Sequence, residues 1–360
     1  DSEKTDSIRT IRGFSTSAEE KLSGEKWFDI YEDYWSGPDY ADIFTSAACN
    51  GTGQFEDLSM EIRAEGCTKG AQYQNVWMYV VHELEDAISD CYAGDLTNND
   101  GGPHAWDEGW AFWSGSLEGE EGTGDGLMGY ALAEKRCEQF GTCTGDDDGD
   151  KMTGTSAVNY ELLELYSEGM SRLQAGDCGD VEDVKEKIVK LMTVPLLQGL
   201  IRYIYLADPD GGNGGDKEAA ELWAFAAAVL PQIHECDSEV ADVILANTEI
   251  DSSNAPIGDG YAVVKESLES VYSCMGIECS KIGGLMIDSE EYYEGFEPCS
   301  DGGDDVKDWE IAVGVIVAVL VAGVAVFLCL RFRRKKKAEA GAKTLESNLG
   351  GFGKDNATTF

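Results

Sequence analysis

Gln74-Asn75-Val76-Trp77-Met78-Tyr79-Val80-Val81-His82-Glu83-Leu84-Glu85-Asp86-Ala87-Ile88-Ser89-Asp90-Cys91-Tyr92 reads as one amphipathic helix. Val80, Leu84, Ala87 and Cys91 recur at three- and four-residue spacing and make an apolar face. Tyr79, His82, Glu85, Asp86 and Ser89 make a polar one. The same period appears to either side. It marks residues 17–35, with Leu22, Trp27, Ile30, Tyr31 and Tyr34 inward, and 104–118, 126–140, 157–175, 180–207, 215–234 and 259–275. Pro195 should kink the longest of these or end its first half. Alternating strand patterns are scarce. Gly/Asp-rich loops at 97–103, 118–126, 141–154 and 208–216 separate the helices. The expectation is an all-α, multi-helix domain over residues 1–300. Glu108-Gly109-Trp110-Ala111-Phe112 echoes Glu221-Leu222-Trp223-Ala224-Phe225, which suggests two related helical halves.

Residues 311–330 contrast with all of this: they are apolar throughout, without charge or proline. Twenty helical residues rise about 30 Å, the thickness of a bilayer's hydrocarbon core. Trp309 suits the outer interface, and Arg331, Arg333, Arg334 and Lys335 to Lys337 mark the cytoplasmic side. The reading is a type I plasma-membrane protein from which an apolar leader has been removed. Residues 1–300 form the ectodomain, 301–308 an acidic tether, 309–330 a transmembrane helix and 331–360 a basic tail. The ending Thr358-Thr359-Phe360 suits a cytoplasmic sorting partner that adds a C-terminal strand to its own sheet.

The chain carries 69 acidic and 27 basic residues. The tail holds eight of the basic and three of the acidic ones, so the ectodomain has a net charge of −47. Such a surface excludes nucleic acid as a partner and concentrates cations. Ten of the eleven cysteines precede residue 300. In a translocated region that number predicts up to five disulfides, with Cys137/Cys143 and Cys274/Cys279 as plausible local pairs. Asn50-Gly51-Thr52 is a glycosylation sequon on the outer side.

Candidate chemistry starts on the first helix quoted. Tyr79, His82, Glu85 and Asp86 combine phenol, imidazole and carboxylate, donors that suit a transition metal. His82-Glu83 begins like the zinc-protease signature, but Asp86 stands where a second imidazole is required. Glu108, Glu134 and Glu221 sit among apolar or small helical neighbours, and a buried carboxylate needs a partner or a metal. Tyr130 and Tyr205 offer further phenolates. Arg202, with Gln198 and Tyr205 in its row, is an isolated guanidinium in an acidic protein and suits an anion. Asp146, Asp147, Asp148 and Asp150 resemble a calcium loop, but Lys151 holds the glycine position and Ala157 the bidentate-glutamate position.

Several runs resemble those of the algal iron-assimilation, or low-iron-inducible periplasmic, proteins. They are Ala105-Trp106-Asp107-Glu108-Gly109-Trp110-Ala111-Phe112, Gly129-Tyr130-Ala131-Leu132-Ala133-Glu134-Lys135-Arg136-Cys137, Gln198-Gly199-Leu200-Ile201-Arg202-Tyr203 and Ala224-Phe225-Ala226-Ala227-Ala228-Val229-Leu230-Pro231. The likeness covers roughly residues 20–285, and with a membrane anchor it is nearest to the phytotransferrins. His82-x-x-Glu85 is distantly similar to a helix motif of the imelysins. The resemblance implies high-affinity capture of ferric iron (Fe3+) at the cell surface, with carbonate as a synergistic anion and endocytic cycling to endosomes. It carries no ligand set onto this chain. The expectation is therefore a binding and uptake protein rather than an enzyme. The rivals are an acidic adhesion protein without metal and a surface metallohydrolase or ferric reductase.

Overall fold

A computed structural model describes residues 10–115, 126–146, 149–212, 214–250 and 254–300. The apolar segment 311–330, the tether, the basic tail and Asp147-Asp148 lie outside the described residues. The described chain is helical, and its only β pairing is two isolated bridges, Cys143 with Ser156 and Met286 with Tyr292.

Short helices come first: α1 (Ile11–Thr16), α2 (Ala18–Leu22), α3 (Lys26–Trp35) and α4 (Tyr40–Asn50). The single helix expected over 17–35 is broken at Gly24, whose φ of +90° lies in the left-handed region open to glycine. Next comes α5 (Met60–Lys69), begun by the Ser59 hydroxyl, which accepts from the Ile62 N–H. It runs through a π-helical stretch, Gly70–Val76, directly into α6 (Trp77–Ala93). Then follow α7 (Gly102–Ser114), α8 (Gly129–Phe140), α9 (Ala157–Ala175), α10 (Cys178–Ala207), α11 (Asp216–Cys236) and α12 (Ser238–Thr248). Three short helices close the described part: α13 (Tyr261–Glu269), α14 (Tyr272–Met275) and α15 (Cys279–Ile282).

The thirty-residue α10 is the centre of the packing, in contact with α6, α8, α9, α11, α13 and α15. Pro195 does not end it. The ring removes one backbone donor, but Val194, Leu196 and Leu197 around it are essentially inaccessible, so tertiary burial holds the helix together. By length and apolarity α10 alone among the described helices would suit a bilayer, yet most of it is sheathed by protein.

The described residues up to 300 cluster as one compact unit. The matched pentapeptides occupy unlike surroundings. Trp110 is half-buried against Tyr130 and Tyr166, whereas Trp223 is fully buried against Trp35 and Phe44.

Five disulfides staple the unit: Cys49–Cys67, Cys91–Cys178, Cys137–Cys143, Cys236–Cys274 and Cys279–Cys299. The local pair Cys137/Cys143 forms. The expected pair Cys274/Cys279 does not, because α11 brings Cys236 against α14 and leaves Cys279 to the C-terminal strap. Asn50 is exposed at the end of α4, accessible as a sequon must be.

Candidate functional site

The polar face of α6 is turned toward the N-terminal helices and α10. Tyr79 is buried, with its ring stacked on Phe14 at 3.9 Å and its hydroxyl 3.2 Å from the Lys21 ammonium. His82 Nδ1 lies 2.6 Å from Glu25 Oε1, in the residue that begins α3. Burial alone would push the imidazole pKa down. The hydrogen bond and charge of Glu25 reverse this, so His82 is raised above its ordinary value. Glu25 is also raised, because its burial outweighs the help of His82. Its second oxygen, Oε2, is buried without a hydrogen-bond partner. Glu85 is bound to Lys185 of α10, which also contacts Glu186, and Asp86 faces solvent.

Glu134 and Tyr130 belong to a structural joint. Both Glu134 oxygens accept from the Ser156 N–H, at 3.0 and 3.2 Å, and Oε1 also takes the Asn159 amide at 2.6 Å. The same amide donates to the Tyr130 carbonyl, and the Asn159 oxygen accepts from Trp113. This carboxylate therefore satisfies the donors at the start of α9. Glu108 is half-exposed, 3.6 Å from His104 one turn before it.

Glu221 has a different setting. It is 4 % exposed on α11, and the Lys69 ammonium lies 2.7 Å from its Oε1. Lys69 also holds Glu65, one turn back on α5, so one cation is shared by two carboxylates. Burial raises the Glu221 pKa above the ordinary carboxylate value, and its Oε2 has no hydrogen-bond partner. Burial acts on Glu65 in the same sense, but Lys69 outweighs it and the group is lowered. The π-helical stretch starts immediately after Lys69 and carries Tyr73, a buried phenol whose ring stacks on Phe225. Such irregular helical turns commonly mark functional positions.

Three more cations share the field of Glu221. Arg136 of α8 is 2 % exposed, with its guanidinium over the rings of Phe225 and Tyr203 at 5.2 and 5.8 Å. Its Nη1 reaches Gln139, but its Nε is buried without a partner. Burial and the neighbouring Arg202 push its pKa down to about 10. Lys135, exposed by surface area, is lowered by partial burial and by Arg136, with Lys69 and Arg202 adding to the effect. Arg202, half-buried on α10, makes no hydrogen bond or ion pair with a described residue. Tyr205, one turn along α10, joins Tyr261, Tyr293 and Phe296 in an aromatic cluster.

The candidate residues thus divide. Tyr79, His82 and Glu85 share one polar layer with Glu25, Lys21 and Lys185. Glu221, Arg202 and Tyr205 belong to the cationic cluster, and Glu134 and Tyr130 to the joint. Among the described residues, no three His, Cys, Asp or Glu side chains converge as a metal cluster. The sequence reading missed Glu25, Glu65, Lys69, Tyr73 and Arg136. Only Arg136 carried a local signal: Leu132, Ala133 and Phe140, at helical spacing from it, are apolar.

Chemically, the cluster offers an anion the buried Arg136 and half-buried Arg202 guanidiniums, with spare donors, beside the exposed Lys135. It offers a hard cation two carboxylates and a phenol, once the Lys69 ammonium moves aside. Residues 1–294 of the chain match the family described as low iron-inducible periplasmic protein (Fea1). No curated protein and no solved structure shows significant similarity to it.

Proposed function

The chain belongs to the low iron-inducible periplasmic protein family, and from that premise we propose that it captures ferric iron at the cell surface together with carbonate. The observation that carries this reading is the cluster around Glu221. In a chain of net charge −42, the charges of Lys69, Lys135, Arg136 and Arg202 all act with one buried carboxylate, and Arg202 makes no ion pair with a described residue. A bare ferric ion would be repelled there. An oxyanion held by Arg202 and Arg136 neutralises the cations and presents oxygen donors to the metal. Glu221 and Glu65 then supply carboxylate oxygens and Tyr73 a phenolate, donors suited to a hard ion. Lys69 is the internal competitor, occupying the place between the two carboxylates that a metal would take.

A second reading places the metal at His82, with Glu25 and Tyr79. The unpartnered Glu25 Oε2 favours it, since a buried carboxylate oxygen without a donor suits a cation. In both readings the segment 311–330 anchors the protein in the plasma membrane, and the loaded protein is internalised to endosomes. Its role is binding and uptake rather than catalysis.

Ferric titration of the purified full-length chain decides between the sites. Glu221→Gln and Arg202→Ala should each weaken ferric binding about tenfold or more in carbonate buffer, with circular dichroism unchanged. His82→Gln should leave affinity within about twofold. A loss confined to His82→Gln would move the metal to the α6 layer, and absence of ferric binding by the wild-type chain would refute the reading.

A further inference from the structure

A second concave space shares no residue with the Glu221 cluster. It is a cavity of about 240 Å³ between α10, Glu161 of α9 and the turn that joins α14 to α15. Lys187 and Lys190 of α10 stand at its rim, one helical turn apart, and neither makes an ion pair or hydrogen bond with a described residue. That is unusual in a chain with 69 acidic and 27 basic residues. The rim carboxylate of Glu161 is neutralised by Lys281. The floor is apolar: Val194 is 1 % exposed, and Leu191 and Ile277 are 6 % exposed. The turn forming the far wall is held on both sides, by Cys274–Cys236 before it and Cys279–Cys299 after it. Gly276 in that turn has φ +68°, and a Cβ there would come within 2.7 Å of the Lys190 ammonium. The wall is thus preformed, and glycine lets Lys190 lie across it.

We propose that this cavity binds a small organic di- or tricarboxylate. Two ammonium groups on one rim, unpaired among the described residues, call for two anionic groups on one ligand. The apolar floor calls for a carbon body between them, which inorganic phosphate lacks. The volume falls below the roughly 300–1,000 Å³ of drug-sized sites, so the ligand is small. Glu278, also on the rim, discourages anything more strongly anionic.

Isothermal titration of the iron-free full-length chain with citrate, succinate and inorganic phosphate tests this. The expected result is one-to-one binding of citrate or succinate, with phosphate weaker by about tenfold or more. The double variant Lys187→Met, Lys190→Met should lose about tenfold or more in carboxylate affinity, with an unchanged melting temperature. Both residues are exposed, so the variant keeps its fold. No binding up to about 10 mM, equal affinity for phosphate, or unchanged affinity in the variant would each overturn the proposal. So would binding seen only after iron loading, since that places the carboxylate on the metal. The iron reading is separate: ferric affinity in carbonate buffer should not change in the double variant.

Discussion

Two buried carboxylates illustrate opposite fates at the scale of single residues. Glu134 is fully occupied by Ser156 and Asn159. Glu134→Ala would leave those donors buried and unpaired, so we expect a loss of about 2–3 kcal/mol in stability, read by urea unfolding. Ferric affinity of the folded fraction should be unchanged. Glu25 instead shares a proton economy with His82. Both groups are raised in the folded state, so the folded protein holds protons more firmly than the unfolded chain. The His82 contribution is therefore complete below the ordinary imidazole value and is lost as pH rises through the raised one. Urea midpoints of wild type and His82→Gln should differ most near about pH 6 and converge near about pH 8. A gap that grows with pH would contradict the assignment. How much of this was legible follows from range. The polar stripe Tyr79-His82-Glu85 was visible because it lies within one helix. Glu25 and Lys185 reach it from 57 and 100 residues away, and no local pattern names them.

Elements were legible where their period was long and undisturbed. The boundaries of α9 match the expected 157–175, and α10 and α11 lie within two residues of theirs. Short α1, α4, α5 and α12 were missed, since helices of one to three turns give too few periods to stand above chance. The helix does not end at Pro195, because burial around it on α10 outweighs one missing hydrogen bond. The contact of α10 with α11 now ties packing to the site. Gly199 of α10 faces Phe225 of α11 so closely that a Cβ would lie 2.3 Å from the ring. Phe225 in turn carries the Arg136 guanidinium and stacks on Tyr73. Gly199→Ala should therefore cost about 1–3 kcal/mol in stability by overpacking. It should also weaken carbonate-dependent ferric binding in the protein that remains folded. Thermal unfolding and ferric titration read the two effects, and unchanged iron binding would show that the ring stack does not position Arg136.

At the scale of the whole molecule, the acidic surface and the cationic cluster work together. The surface field draws cations inward, and on the proposed reading the cluster would admit iron only in company with an anion. Carboxylate, phenolate and carbonate must all be deprotonated to bind metal, so protons compete with iron. Burial has already raised Glu221, so that competition begins above the ordinary carboxylate range. If the proposed site holds the iron, affinity should fall between neutral and mildly acidic pH while the His82–Glu25 contact tightens, so release is expected from a folded protein. The most direct measurement is ferric affinity of the full-length chain at neutral pH with and without carbonate, in wild type and Arg202→Ala. The prediction is strong carbonate dependence in wild type and its loss in the folded variant. Equal carbonate dependence in both proteins, or none in wild type, would contradict the account.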